Sequence, residues 1–319
     1  MRIALAANRA SGGGLDPEPL AAAMREHGAE VELHSCRAED LERIAASRPD
    51  RVAVAGGDGT IGPVAEVAGR LGVPLGVIPT GTANDFARAY GLPDDPREAA
   101  VLAVAGERTR PLELGRLSDG RPFVNVASAG LASVAARNAQ PLKPRLGPLA
   151  YGVGAARAAA TEAPLEATVR VDGRTVFEGG SWQVIVAVSG AFGGGSGVAE
   201  ADPDDGVLDV IVLPAGSRLG LARRAWGLRT QTIARQRAVE HHRGHLVEVD
   251  LREGSELNVD GEIRDGGLER VTVEPRAFSL VVKGEARLRT PRMRPSQSER
   301  RLDAGGATTT PSRPRRLTS

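Results

Sequence analysis

Residues Val52–Val64 read VAVAGGDGTIGPV. The small and branched apolar run Val52 to Ala55 predicts a buried strand. Glycines then break it. Val64, Val67, Ala68 and Leu71 follow at i, i+3, i+4 and i+7, which is one face of a helix. Pro63 suits the first helical position. Strand, glycine turn and helix together make a ready site for phosphate, because backbone N–H groups and the helix dipole face the anion. Gly57, Gly59 and Gly62 also fit the G-x-G-x-x-G spacing. Yet an acid, Asp58, sits in the middle of the loop, where it would repel phosphate.

Working outward, the same alternation continues. RIALAA (2–7) and EVELHS (30–35) read as strands. Between them Leu20, Ala23, Met24 and His27 share a helical face closed by Gly28, and Leu41, Ile44 and Ala45 suggest the next helix. PLGVIPT (74–80) is a fourth strand, and ANDFARAYG (83–91) a short helix stopped by Gly91. This βα order implies a parallel sheet with helices on its faces.

Near Arg110 the pattern changes. Strand signals at 112–117, 122–128, 165–176, 181–190, 206–213, 245–251, 256–262 and 268–275 are separated by Gly, Asp and Pro turns. The Asp-Gly of VDGRT predicts a hairpin. Helical stretches are expected over 147–161 and 217–237. The fold class expected is thus an N-terminal α/β domain with a parallel sheet, residues 1–113, and a mostly antiparallel, β-sandwich-like C-terminal domain, residues 114–284. Residues 285–319, rich in Arg and Pro and poor in apolar side chains, read as a disordered tail that could meet anionic lipid.

Composition excludes several classes. A net charge of +1 argues against a nucleic-acid partner, and 3% aromatic residues leave no base-stacking surface. Cys36 is the single cysteine, so neither an intrachain disulfide nor a multi-cysteine metal site can form. HHRGH (241–245) matches no zinc spacing. No apolar run reaches the 18 residues of a membrane span, so the expected location is cytoplasmic and any lipid contact peripheral.

Three readings of the glycine loop compete. A dinucleotide site wants an acid at the end of the next strand, where Pro79 and Thr80 stand. A plain turn would make Asp58 only a turn residue. A kinase reading uses a second small-residue loop, PTGTAND (79–85), one strand later. In a parallel sheet both loops lie at the carboxyl edge, where such sheets bind ligands. Thr60, Thr80, Thr82 and Asn84 add hydrogen-bonding groups there. Asp58 then makes sense beside phosphate if Mg²⁺ lies between them, since Mg²⁺ is held by one or two carboxylates plus substrate phosphates. The ligand would be Mg-ATP and the reaction phosphoryl transfer.

GGDGT (56–60) followed by PTGTANDFAR (79–88) resembles the diacylglycerol kinase catalytic-domain family, and within it the soluble bacterial lipid kinases related to sphingosine and ceramide kinases. ANRASGGG (7–14), GGGSGVAEADPDDGVLDV (193–210) and LNVDGE (257–262) extend the likeness over about residues 1–283. The resemblance implies ATP-dependent phosphorylation of a lipid hydroxyl, by default diacylglycerol to phosphatidic acid. It implies that ATP lies against Asn8, Gly56, Gly57, Asp58, Gly59, Thr60, Ile61 and Gly62, and against Thr80, Gly81, Thr82 and Asn84. Glu262 would be the general base. Asp58 and Asp85 would organise the catalytic Mg²⁺. Asp205 would hold a structural Mg²⁺ with carbonyls near Asp202 and Val207. The substrate would be met peripherally at the inner face of the membrane, and a homodimer is left open. Arg9, Gly62 and Glu200 depart from the family pattern, which has Pro, Asn and Pro there, and SGAFGGG (189–195) lacks its usual Asn. The alternatives are an NAD-kinase-like or other small-molecule kinase, and a nucleotide-binding module without turnover.

Overall fold

In the computed structural model the βα alternation forms as β1 (Arg2–Ala7), α1 (Glu18–Glu26), β2 (Glu30–Ser35), α2 (Ala38–Ser47), β3 (Arg51–Gly56), α3 (Asp58–Leu71), β4 (Leu75–Pro79) and α4 (Asp85–Ala89). The structure describes residues 1–11, 14–139, 141, 153–154, 157–158, 160–192, 196–197, 202–217, 239–251, 256–265 and 268–284. The four strands pair in parallel in the order β4-β3-β1-β2. Alternate residues of β3 feed the two faces of the sheet. Val52 and Val54 pack with Val64, Val67 and Ala68 of α3. Ala53 and Ala55 pack with Leu20 and Met24 of α1 on the other side.

Two local findings differ from the sequence reading. Helix α3 starts at Asp58, inside the glycine loop, with Gly57 as its N-cap. Pro63 is therefore interior to the helix rather than first in it, and has no N–H to give the Gly59 carbonyl. The gain is that the first turn of α3, with its orphan N–H groups, lies within the GGDGT stretch itself. A further helix, α5 (Pro96–Ala105), adds to the elements expected. Its signals are nonetheless local: Asp95 accepts a cap hydrogen bond from Glu98 N at 2.8 Å, and Pro96 opens the first turn.

The second half comprises β5 (Arg108–Leu117), β6 (Pro122–Phe123), β7 (Val126–Gly130), α6 (Leu131–Ala139), β8 (Leu165–Val171), β9 (Arg174–Ala187), β10 (Ala191–Phe192), β11 (Ser196–Gly197), β12 (Leu208–Pro214), β13 (Glu240–Gly244), β14 (Leu246–Leu251), β15 (Glu256–Val259), β16 (Glu262–Asp265) and β17 (Arg270–Val282). Its strands run antiparallel in the order β16-β15-β7-β9-β8-β14-β17. Two Asp-Gly pairs make hairpin turns with both residues at positive φ: Asp172 (49°) and Gly173 (78°), then Asp260 (48°) and Gly261 (88°). Positive φ at both central residues is the mark of the type I′ turn. The strand expected over 122–128 is broken, because residues 124–125 leave the ladder between β6 and β7.

β17 ties the halves together. It pairs antiparallel with β14 and β5, and Leu280 lies parallel to Leu75 of β4. The strand changes register between Glu274 and Phe278, where Arg276 takes φ 52°. Phe278 and Leu280 are buried in the same core as Val54 and Val64. Residues 1–288 accordingly form one compact unit. The boundary expected at 113/114 falls inside β5. Most of the 147–161 stretch, nearly all of 217–237, Glu200, Gly193–Gly195 and the tail from 285 lie outside the described residues. Among the described residues no helix is long and apolar enough to cross a membrane.

Candidate functional site

The two glycine loops lie back to back at the carboxyl ends of β3 and β4. A methyl group on Gly81 would stand 2.6 Å from Gly57 Cα, so only glycine permits this approach. Thr80 N donates to the Gly56 carbonyl at 3.0 Å, continuing the strand pairing into the loops. Asn84, at φ 49°, closes the second loop on itself: its Oδ1 accepts from Gly81 N at 2.9 Å and its Nδ2 donates to Gly81 O at 3.0 Å. The 7–14 segment joins both loops, through Asn8 Nδ2 to Thr60 Oγ1 (3.3 Å) and Ser11 Oγ to the Thr80 carbonyl (3.0 Å). Asn8, Gly57, Gly59, Thr60, Thr80 and Gly81 are thus brought together, with Thr82 exposed at the rim. Thr80 Oγ1 is buried and has no protein partner.

Ile61 and Gly62 stand differently. Ile61 is a core residue of the α/β half. A methyl on Gly62 would meet the Pro122 carbonyl at 2.6 Å, so this glycine lets α3 pack against the chain entering β6. Where the family carries Asn, this molecule has no room for a side chain.

Asp58 has a specific structural role. Its Oδ2 accepts from Asp85 N at 3.1 Å and its Oδ1 from Phe86 N at 2.8 Å, so the first loop caps the helix that the second loop starts. Asn125 Nδ2 adds a third donor at 3.2 Å. Burial pushes the Asp58 carboxyl above the usual range, and the nearby Asp85 charge adds to this, while the N–H donors pull it back. Asp85 is buried and paired with Arg88.

Glu262, at the start of β16 and 204 residues from Asp58 (262 less 58), reaches the same loop. A methyl on Gly59 would lie 2.6 Å from Glu262 Oε1. Its Oε2 is held by Arg264 Nη2 at 2.6 Å, and the side chain is open to solvent. The structure thus brings Asp58, Asp85 and Glu262 to the two glycine loops.

Sequence reasoning missed the groups that hold this arrangement. Asp260 is buried in the turn before Glu262 and accepts from Val124 N (2.8 Å), Asn125 N (2.9 Å) and Val126 N (3.0 Å). Asn125 is buried, and its Oδ1 accepts from Ser189 Oγ at 2.8 Å. Asp260 lies in the LNVDGE motif and its Asp-Gly turn, and no local signal marks Asn125. Also missed was a cavity of about 380 Å³ lined by Arg9, Glu32, His34, Ser35, Asp40 and Arg43 at the carboxyl ends of β1 and β2. Two strand spacings separate β2 from β3, or about 10 Å.

The 202–207 loop is a separate acidic centre. Asp205 Oδ1 accepts from Val207 N at 3.1 Å, and Asp205 is also paired with Arg243. Asp204 pairs with Arg110 at 2.7 Å, with Asp202 at 3.7 Å from the same guanidinium. Glu113 of β5, unmarked by the sequence reading, is buried beneath this loop. Its Oε2 accepts from Gly206 N at 2.9 Å, and its Oε1 has no partner. Burial first, then the charges of Asp205, Asp204 and Asp202, push its carboxyl up to about 8. Among the described residues, no group of three His, Cys, Asp or Glu side chains is placed to hold a metal by itself. Any cation here would need the loop's carbonyls, which is the donor set expected at Asp202 and Val207. The orphaned Glu113 oxygen fits such a cation.

Comparison with known proteins places the chain. The model of the diacylglycerol kinase catalytic domain matches residues 2–117, and that of the YegS C-terminal NAD kinase beta sandwich-like domain matches residues 125–282. A probable lipid kinase, YegS-like, of Pseudomonas aeruginosa is 34% identical over 291 residues, covering 85% of this chain and 91% of the relative. A diacylglycerol kinase of Bacillus subtilis is 33% identical over 218 residues, covering 67% and 71%. The crystal structure of a diacylglycerol kinase from Bacillus anthracis has the same fold, with a TM-score of 0.70 at 22% identity over 88% of this chain and 97% of that one. With two glycine loops locked together, an acid from the far half of the chain laid against them, and matches spanning both halves, the chain belongs to the diacylglycerol kinase catalytic-domain family.

Proposed function

We propose that this protein is an ATP-dependent lipid kinase, a phosphotransferase that acts on a lipid hydroxyl, with diacylglycerol as the acceptor and phosphatidic acid as the product. Relatives named as lipid kinases and diacylglycerol kinases support the lipid class. The observation that carries the chemistry is the contact of Glu262 with Gly59: a carboxylate from the β half lies against the first turn of α3, beside Asp58.

Each group then has a task. The first-turn N–H groups of α3 and the hydroxyls of Thr60 and Thr82 would hold the phosphates of ATP, with Asn8 steadying Thr60. Asp58 and Asp85 face the phosphates and would hold Mg²⁺, which supplies charge neutralisation during transfer. Asp205, the carbonyls near Asp202 and Val207, and Glu113 would hold a second, structural cation. Glu262 accepts the proton of the lipid hydroxyl as its oxygen bonds to the γ-phosphorus and the bond to the β-phosphate oxygen breaks. The hydroxyl would be brought to Glu262 from a membrane surface by peripheral contact.

Glu262→Gln tests the assignment. It keeps size and polarity and removes the base. Turnover should fall at least ~100-fold while binding of an ATP analogue stays within about threefold. Near-normal turnover in this variant would remove Glu262 from the reaction.

A further inference from the structure

Two hairpins of this protein turn on Asp-Gly with similar backbone angles, and their aspartates are used differently. Asp172 is half-exposed and accepts from His245 N and Leu246 N, at the entry to β14. Asp260 is buried, and all three of its side-chain hydrogen bonds come from the 124–126 backbone, at the short break between β6 and β7. That break presents Asn125. The Asn125 amide cannot turn over freely, because Ser189 Oγ donates to its Oδ1. Its Nδ2 is thereby aimed at Asp58 Oδ1. Asn125 O in turn accepts from Val188 N at 2.9 Å, tying the break to the end of β9. Asp58 passes the link on to Asp85 N and Phe86 N.

The chain of contacts runs from the turn that carries Glu262, across the two halves, to the loop that carries Asp58. A carboxylate that accepts three backbone N–H bonds fixes a loop far more tightly than one contact would, because burial makes each unmet donor costly. The geometry points to Asp260 and Asn125 as paired positioning residues: together they set the Asp58 loop and the Glu262 side chain in register across the domain junction. Neither touches the reacting atoms. Their effect on turnover rests on the kinase reading above. Their effect on the loops does not.

The test compares wild type with Asn125→Ala and Asp260→Asn by two readouts. The first is amide hydrogen exchange of the full chain. In both variants the Asp85 and Phe86 amides should exchange at least ~10-fold faster, with the amides of β1 and β3 unchanged. The second is steady-state transfer from Mg-ATP to diacylglycerol in mixed micelles. There kcat should fall at least ~10-fold while the KM for ATP stays within about threefold, a split that general unfolding would not give. Should Asn125→Ala fail to fold, Ser189→Ala leaves the amide in place but free to rotate, and should show both effects at about threefold. Unchanged exchange at Asp85 and Phe86 in the folded variants would overturn the linkage. Coupled exchange in a protein that phosphorylates no lipid would uphold the linkage and sink the kinase reading. An active wild type with kinetically indifferent variants would overturn the positioning role alone.

Discussion

Asp58 and Gly59 are neighbours in the chain, and they should fail in opposite ways when changed. Asp58 accepts from two backbone amides and one side chain amide inside the protein. Asp58→Ala leaves those donors unmet, so it should cost about 2 kcal/mol of stability as well as all turnover. The three nearest atoms to a methyl placed on Gly59 all belong to the flexible Glu262 side chain, Oε1 at 2.6 Å and Cδ and Cγ at 2.7 Å. Gly59→Ala should therefore leave urea unfolding within about 0.5 kcal/mol of wild type. With Glu262 as the proposed base, it should still cut turnover at least ~10-fold, because that carboxylate would be displaced. Equal loss of stability in the two variants would contradict this division. The question raised by an acid in a phosphate loop has a partial answer in the backbone itself. Asp58 binds the two loops together before any ligand arrives.

At the scale of elements, β17 is the decisive one. Phe278 comes at the far end of the described chain from the α/β strands it packs against, and it is buried among them. Phe278→Ala should destabilise the whole of residues 1–288 by about 3–5 kcal/mol in a single cooperative transition, read by chemical unfolding with probes in both halves. Separate transitions would mean that the halves fold independently. Much of this architecture is legible in the sequence. Strands β1, β3 and β4 announce themselves because a buried parallel strand must be apolar throughout, as in Val52–Ala55. The hairpins at Asp172 and Asp260 follow from turn chemistry. What stays hidden is long-range. Nothing local tells that residues 277–282 return to the first core, or that 124–125 must leave their ladder to meet Asp260. The site divides in the same way. GGDGT and GTAND declare themselves, whereas Glu113 and Asn125 look like ordinary strand residues until the fold surrounds them.

Across the whole molecule, the Glu113 carboxyl buried beneath the 202–207 loop should link stability to pH. Glu113 has a folded pKa of about 8 against an ordinary 4.5. The folded state then binds more protons than the unfolded state between those values, so stability should fall as pH rises from about 5 to 8. Asp260, whose carboxyl burial pushes up to about 7, adds to the same fall. Millimolar Mg²⁺ should flatten the Glu113 part if it occupies the loop, and Glu113→Gln should reduce the fall. Melting temperatures at about pH 5, 6.5 and 8, with and without Mg²⁺, read all three effects, and a melting temperature rising with pH would contradict the assignment. Transfer of phosphate to a lipid is a separate property. The most direct measurement supplies the purified protein with Mg²⁺, γ-labelled ATP and a panel of lipids in mixed micelles, beside NAD. Label should appear in phosphatidic acid formed from diacylglycerol, dependent on Mg²⁺ and absent from Glu262→Gln. Label in NADP, or bound ATP with no label transferred to any acceptor, would contradict it.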